Sequence, residues 1–379
     1  MVFFWNSIYA QIFLNGYYLF RIGRNKKMPK GLKWSLIILI LLEVCTYFVG
    51  YFGRELIPFE YYSEIQRISA FWVIASMYFA VLLSIYDLVW WLNKRWVFRV
   101  QFRYKVLFTF FTLATIGFYS FIVLNTYIGR DNYAEPQVKE FGFDIDSPTL
   151  PNDSIRQLSY KILTVSDMHL GYVIGKEATR KYVDFINAQS PDIIVINGDM
   201  VDYYIEPLDE QEIDKELKRL YAPKGVYFIA GNHEYKVDVN PVLDWVRKTG
   251  MIVLRDSVVN MDNEMWLIGQ DDRKNKEQRL GLENLLSQID TTKFHILFTH
   301  QPTDIPEAYK LNVPLTVAGH THNGQFFPGN LFRLVMNHFH GRHEYKGSVS
   351  VTSSGVGLSG YPFKIKSESE VLIFNIKIY

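Results

Sequence analysis

Five short blocks, each closing an apolar run with polar residues, lie between Lys161 and Gln325, and no other feature restricts the fold of this chain so tightly. They read ILTVSDMHLG, IIVINGDMVD, VYFIAGNHE, HILFTHQP and LTVAGHTHNGQ. The polar residues they deliver are Asp167, His169, Asp199, Asp202, Asn232, His233, His300, His320 and His322. In layered α/β folds, sites collect in the crevice outside the carboxyl ends of strands, so residues distant in sequence converge there. The surrounding pattern agrees with such a fold. Strand-like runs at Gln137–Ile145, Lys161–Ser166, Ile193–Asn197, Gly225–Ala230, Met251–Leu254, Trp266–Ile268, His295–Thr299, Leu315–Ala318, Ser348–Thr352 and Val371–Ile378 are interleaved with helix-like segments. The helices are expected at Glu177–Gln189, Glu210–Leu220, Pro241–Lys248 and Lys276–Ile289. Residues 137–379 are therefore expected to form an α/β domain of two packed mixed β-sheets flanked by helices.

The amino-terminal third is of another kind. All nine histidines lie at or beyond His169, whereas the first 128 residues are dominated by Phe, Tyr, Trp, Leu and Ile. Apolar runs at 2–20, 34–52, 70–92 and 106–128 match the ~20 residues needed to cross a bilayer as a helix. They predict an all-α transmembrane bundle of about four helices over 1–128, joined by a polar linker at 129–136. A signal peptide fits poorly, because the positive charge follows the first apolar run. The loop from Arg21 to Lys33 carries six cations and no acid, and the loop from Asn93 to Lys105 carries five and no acid. The positive-inside rule makes both cytoplasmic. A multi-pass protein of the cytoplasmic membrane follows, with the carboxyl-terminal domain on the extracytoplasmic side.

Other classes are disfavoured. A formal charge of +1 offers no field for nucleic acid. The single cysteine, Cys45, excludes an internal disulfide and a cysteine-based zinc site. Glu43 and Asp87 fall inside expected spans without a matching buried cation, so they read as hydrogen-bonded groups of the bundle rather than a transport pathway. No HExxH block supports a metalloprotease.

The donors of the five blocks are hard oxygens and imidazoles, which suit Mn, Fe, Zn or Mg. Seven candidates exceed the three or four protein ligands of one zinc ion, which points to two divalent cations. Paired ions about 3.5–4 Å apart are suited to phosphate ester hydrolysis, because they stabilise both attacking and leaving oxygens. Asp199, following Gly198, is the natural bridge between them.

The ordered set DMH at 167–169, GDMVD at 198–202, GNHE at 231–234, His300 and GHTH at 319–322 resembles the calcineurin-like metallophosphoesterase superfamily. The resemblance spans roughly residues 135–379. GHTHNGQ and the later SSGVGLSGYP are similar to the membrane-linked bacterial branch whose usual form is GHTHGGQ, from which Asn323 departs. Tyr203-Tyr204 stand where protein Ser/Thr phosphatases carry Arg-Gly, so a phosphoprotein phosphatase is disfavoured.

The resemblance implies that Asp167, His169 and His322 ligate one ion, that Asn232, His300 and His320 ligate a second, and that Asp199 is shared. His233 is then the non-ligating histidine that contacts phosphate or protonates the leaving oxygen, with Asp202 fixing its tautomer; the other reading of Asp202 is a helix cap. The expected activity is hydrolysis of phosphomonoester, phosphodiester or pyrophosphate bonds by in-line attack of a metal-bound hydroxide. Phospholipids and lipid-linked phosphates are candidate substrates, and the tether suits soluble phosphate esters equally. The alternative is a membrane sensor or scaffold whose domain binds metal but turns over slowly. His295 is expected in the core. His338, His340 and His343 are expected in a solvated loop, which Phe332, Met336 and Phe339 would make an apolar lid.

Overall fold

The computed structural model describes residues 2–95, 135–146, 158–360, 364–365 and 367–379, apart from 27, 54–56 and 277, together with 113, 117, 120 and 121. The chain divides into two compact units, residues 1–127 with 360–362, and residues 128–359 with 363–379.

The first unit contains α1 (Val2–Arg24), α2 (Lys30–Phe52) and α3 (Phe59–Arg95). Among the described residues two segments are long and apolar enough to cross a membrane, Lys30–Gly50 and Tyr61–Leu92, rather than the four expected. The run at 2–20 does form a helix, but Asn6, Gln11 and Asn15 dilute its hydropathy, and Asn15 turns its amide onto the Gln11 backbone carbonyl at 2.9 Å. The expected fourth span, 106–128, lies almost wholly outside the described residues. Leu41 and Leu42 on α2 are each more than half exposed, an apolar outer surface suited to lipid rather than water. Asp87 has a partner that the sequence reading did not foresee. Arg21 of α1 pairs with it, and the Tyr17 hydroxyl donates to it at 2.9 Å.

The second unit is a four-layer sandwich, helix–sheet–sheet–helix. One sheet has the strand order β1-β12-β2-β3-β4-β5 and the other β10-β11-β9-β8-β7-β6. In the first, β2 (Leu158–Val165), β3 (Ile193–Asn197), β4 (Val226–Ile229) and β5 (Ile252–Val253) run parallel, while β12 (Glu370–Ile378) lies antiparallel to β2 and parallel to β1 (Gln137–Ile145). In the second, β7 (Met265–Gly269), β8 (Phe294–Phe298), β9 (Leu315–Ala318) and β11 (Ser348–Thr352) are parallel, with β6 (Ser257–Met261) and β10 (Gly341–Tyr345) antiparallel at the edges. Both sheets are mixed.

Strand alternation explains the layers. Along β3, Ile193 and Val195 face the other sheet and pack with Phe298, Leu315 and Val317. Ile194 and Ile196 face outward, where α4 (Lys176–Ala188) covers them with Tyr182, Val183 and Ile186. Leu297 and Ile268 on the far side of the second sheet are covered by Leu282 and Leu285. β3 is buried on both faces, which is why it reads as a continuous apolar run in sequence. The consequence for function is positional. β2, β3 and β4 are adjacent and parallel, as are β8 and β9, so the five blocks emerge together from the same ends of the two sheets.

Candidate metal centre

Asp167 and His169 follow β2, Asp199 and Asp202 follow β3, and Asn232 and His233 follow β4. His300 follows β8, and His320 and His322 follow β9. Three groups of donor atoms fall within 4.8 Å of one another: Asp167, His169 and His322; His169, Asp199 and His233; and Asp199, His300 and His320. Asp199 Oδ2 is central, 3.1 Å from His300 Nε2 and 3.9 Å from both His169 Nε2 and His233 Nε2. Asp167 Oδ1 lies 3.5 Å from His322 Nε2.

The backbone is bent to bring these groups together. Five of the seven expected ligands, Asp167, His169, Asp199, His320 and His322, have positive φ between 48° and 73°. Non-glycine residues adopt that region at a cost of order 1 kcal/mol or more each, and they cluster where surrounding structure over-determines them. Part of that surrounding structure is hydrogen bonding between blocks. The His320 N–H donates to Asp167 at 3.1 Å, and the His233 N–H donates to Asp199 Oδ1 at 2.7 Å, leaving Asp199 Oδ2 turned towards the imidazoles. Gly198 is required at its position. Its φ is +85°, and a Cβ there would stand 2.3 Å from His300 Nδ1.

The donor set fits divalent cations on physical grounds. Asn232 Oδ1 and His320 Nδ1 are buried without a hydrogen-bond partner, an arrangement too costly to hold unless something else satisfies such atoms. His300 Nδ1 donates to the Asn197 carbonyl at 2.9 Å, which fixes the ring orientation and turns Nε2 towards Asp199 Oδ2, 3.1 Å away. Burial pushes His320 down to about 4 and lowers His322, whereas at His169 and His300 the neighbouring carboxylates overcome burial and raise the imidazoles, protons that bound cations would displace. Asp167 and Asp199 remain ionised. Burial opposes their charge, but the neighbouring imidazoles hold both below the usual carboxylate range.

Asp202 is not a helix cap. Its Oδ1 lies 2.8 Å from His233 Nδ1 and 3.5 Å from His169 Nδ1. The later histidines are engaged elsewhere: His340 Nε2 is 3.1 Å from Glu370, His343 is 3.2 Å from the His340 carbonyl, and His338 packs on Tyr309. His295 is buried in β8 and bonded to the Lys293 carbonyl, as expected of a core residue.

Several residues at the site escaped the sequence reading. Glu234, fully buried, accepts backbone N–H groups from Asp199, Val201 and Gly231 at 3.0, 2.9 and 2.7 Å. Asn197 sends its amide across the sandwich to the carbonyls of Thr299 and Val317 at 3.1 and 3.2 Å. Lys236 lies 4.0 Å over the Tyr203 ring and touches His233, most closely at Nε2, and burial pushes it down to about 8. Gln301 donates to both oxygens of buried Asp272. The Glu of GNHE and the Gln after His300 were visible in the blocks, but their contacts are tertiary and leave no spacing signature.

Carboxylates and imidazoles gathered at the ends of two facing strand sets define a class: a layered α/β domain with a candidate metal centre. The sequence pattern described as calcineurin-like phosphoesterase matches residues 160–324. An Aquifex aeolicus protein described as an uncharacterized metallophosphoesterase is 36% identical over 244 residues, 62% of this chain and 90% of its own length. A Helicobacter pylori metallophosphoesterase is 28% identical over 347 residues, covering 89% of this chain and 87% of its own. A Danio rerio protein described as a transmembrane protein with metallophosphoesterase domain is 30% identical over 259 residues, 64% of this chain and 58% of its own. The chain belongs to the calcineurin-like phosphoesterase family, and it is a hydrolase of phosphoric ester bonds.

Proposed function

We propose that the chain is a membrane-anchored phosphoesterase with a dinuclear centre, built as a transmembrane region over 1–128, a linker over 129–136 and a catalytic domain over 137–379. Asp167, His169 and His322 would hold one ion and Asn232, His300 and His320 the other, with Asp199 between them. The observation that carries this reading is the position of Asp199 Oδ2, shared by two donor groups and within 4 Å of three imidazoles. Two divalent ions there supply Lewis acidity, neutralising phosphoryl charge and making water acidic near neutral pH.

The remaining work falls to the protein. Asp202 accepts the Nδ1 proton of His233 and so keeps Nε2 facing the cluster, where it transfers a proton to the leaving oxygen. Burial lowers the proton affinity of His233, and Asp199 and Asp202 oppose that fall. An isolated metal-binding module would have no use for this pair, which favours turnover over a sensor or scaffold. The substrates are phosphomonoesters, phosphodiesters or pyrophosphates at the membrane surface, phospholipids and lipid-linked phosphates among them, and the domain faces away from the cytoplasm.

Hydrolysis of bis(p-nitrophenyl) phosphate with added manganese tests the site. Asp199→Asn is expected to lose at least about a hundredfold in kcat/KM, since it removes the shared charge. His233→Ala is expected to lose about 10²–10⁴-fold on an alkyl phosphodiester and less on the p-nitrophenyl ester, whose oxygen departs without a proton. Turnover unaffected by both substitutions would sink the assignment.

A further inference from the structure

The turn that carries His320 and His322 continues into a segment whose side chains the catalytic site does not use. From Leu331 to Asn337 seven consecutive residues are exposed. Leu334 and Val335 are 74% and 79% exposed, and Phe332 is 57% exposed. Soluble surfaces rarely present so continuous an apolar run.

Its base is firmly tied to the site. Thr321, between the two histidines, donates its hydroxyl to the Phe339 carbonyl at 2.7 Å, and Thr352 donates to the His338 carbonyl at 2.8 Å. On the other side the Ile365 N–H donates to the Gln325 carbonyl at 2.7 Å, and a Cβ on Gly324 would stand 2.3 Å from the Asn330 nitrogen. An apolar tip therefore rises from a close-packed base that shares its backbone with two expected metal ligands.

The charge pattern narrows the occupant. From Thr321 to His343 there is no Asp or Glu; Arg333 stands within the exposed run, while Arg342 at its base pairs with Glu344. Aromatic and aliphatic side chains with arginine and no acid are what an anionic bilayer interface accepts. The same chain carries α2 and α3, so its own bilayer is at hand.

We propose that residues 331–336 dock into the lipid headgroup region of that bilayer and present membrane-embedded phosphoesters to the centre beside His320 and His322. The substrate half of this proposal rests on the phosphoesterase reading; the docking half does not.

The test uses the full-length protein in nanodiscs of phosphatidylethanolamine and phosphatidylglycerol. A Leu334→Cys variant on a Cys45→Ala background carries an NBD label. Blue-shifted emission quenched by a shallow doxyl-labelled lipid is expected. Emission like that in water overturns docking, and so does blue-shifted emission that the lipid does not quench, since protein would then cover the loop. In parallel, Leu334→Asp with Val335→Asp is expected to lower hydrolysis of a diacylglycerol p-nitrophenyl phosphate in the same lipids by about tenfold, with bis(p-nitrophenyl) phosphate hydrolysis held within about twofold. Equal rates on both esters, or an equal loss on both, would overturn the delivery role. If the unmodified protein cleaves neither ester, the phosphoesterase reading fails and the quenching result alone decides docking.

Discussion

Glu234 shows how a single residue supports the site without touching the chemistry. Its carboxylate gathers three backbone N–H groups from the loops after β3 and β4, and thereby sets the path of Asp199. Burial beside Asp199 pushes it up to about 7, while the N–H groups pull the other way. Glu234→Ala would strand three buried donors, each costing about 1–3 kcal/mol when left unpaired. A fall in Tm of at least about 5 °C is expected, and it should persist in EDTA because the brace does not depend on ions. A Tm unchanged in EDTA would contradict the assignment. The candidate ligands were legible in sequence because each sits at the end of an apolar run in a fixed order. Glu234 stood in plain view within GNHE, but its role depends on donors 33 and 35 residues away, a relation with no local signature.

At the scale of elements, the long buried strands were readable and the short edges were not. β3, β9 and β11 occupy the expected ranges, because an apolar run bounded by turn residues leaves little freedom, and the edge strand β1 does so through its alternation. β6 was missed, although Asp262 and Asn263 with φ of 52° and 60° make the tight hairpin that pairs it with β7. β10 was missed because its residues are polar and largely exposed, as an edge strand's often are. The helix expected over Glu210–Leu220 is two short helices, Glu206–Glu210 and Ile213–Leu217, interrupted by Glu212 at φ 55°. How the two sheets are pinned at the site was also invisible. Asn197 ends β3 and bonds to the ends of β8 and β9, while its own carbonyl orients His300. Asn197→Ala removes two cross-sandwich hydrogen bonds and is expected to lower Tm by about 3–6 °C. It should also raise the manganese concentration needed for half-maximal activity, since each donor group takes ligands from both sheets. A Tm loss with unchanged manganese dependence would make Asn197 a structural staple only.

For the whole molecule, the open question is the side of the membrane on which the catalytic domain works, and the two ends of the argument come from different features. The stretch Arg21–Lys33 joins α1 to α2, and its six cations without an acid are expected to keep it in the cytoplasm. On that reading α2 would lead outward and α3 would return to the basic stretch that begins at Lys94. One further crossing, over the expected span at 106–128, delivers the domain to the outer side; without it the domain stays in the cytoplasm. The parity of the crossings therefore decides the location, and one measurement reads it. Proteinase K added to intact spheroplasts is expected to remove an epitope tag attached after Tyr379, which is exposed at the end of β12. In inverted vesicles the tag should survive until detergent is added. Protection in spheroplasts with loss in inverted vesicles would reverse the assignment. It would restrict the substrates to those on the cytoplasmic leaflet, and it would leave the geometry of the centre as described.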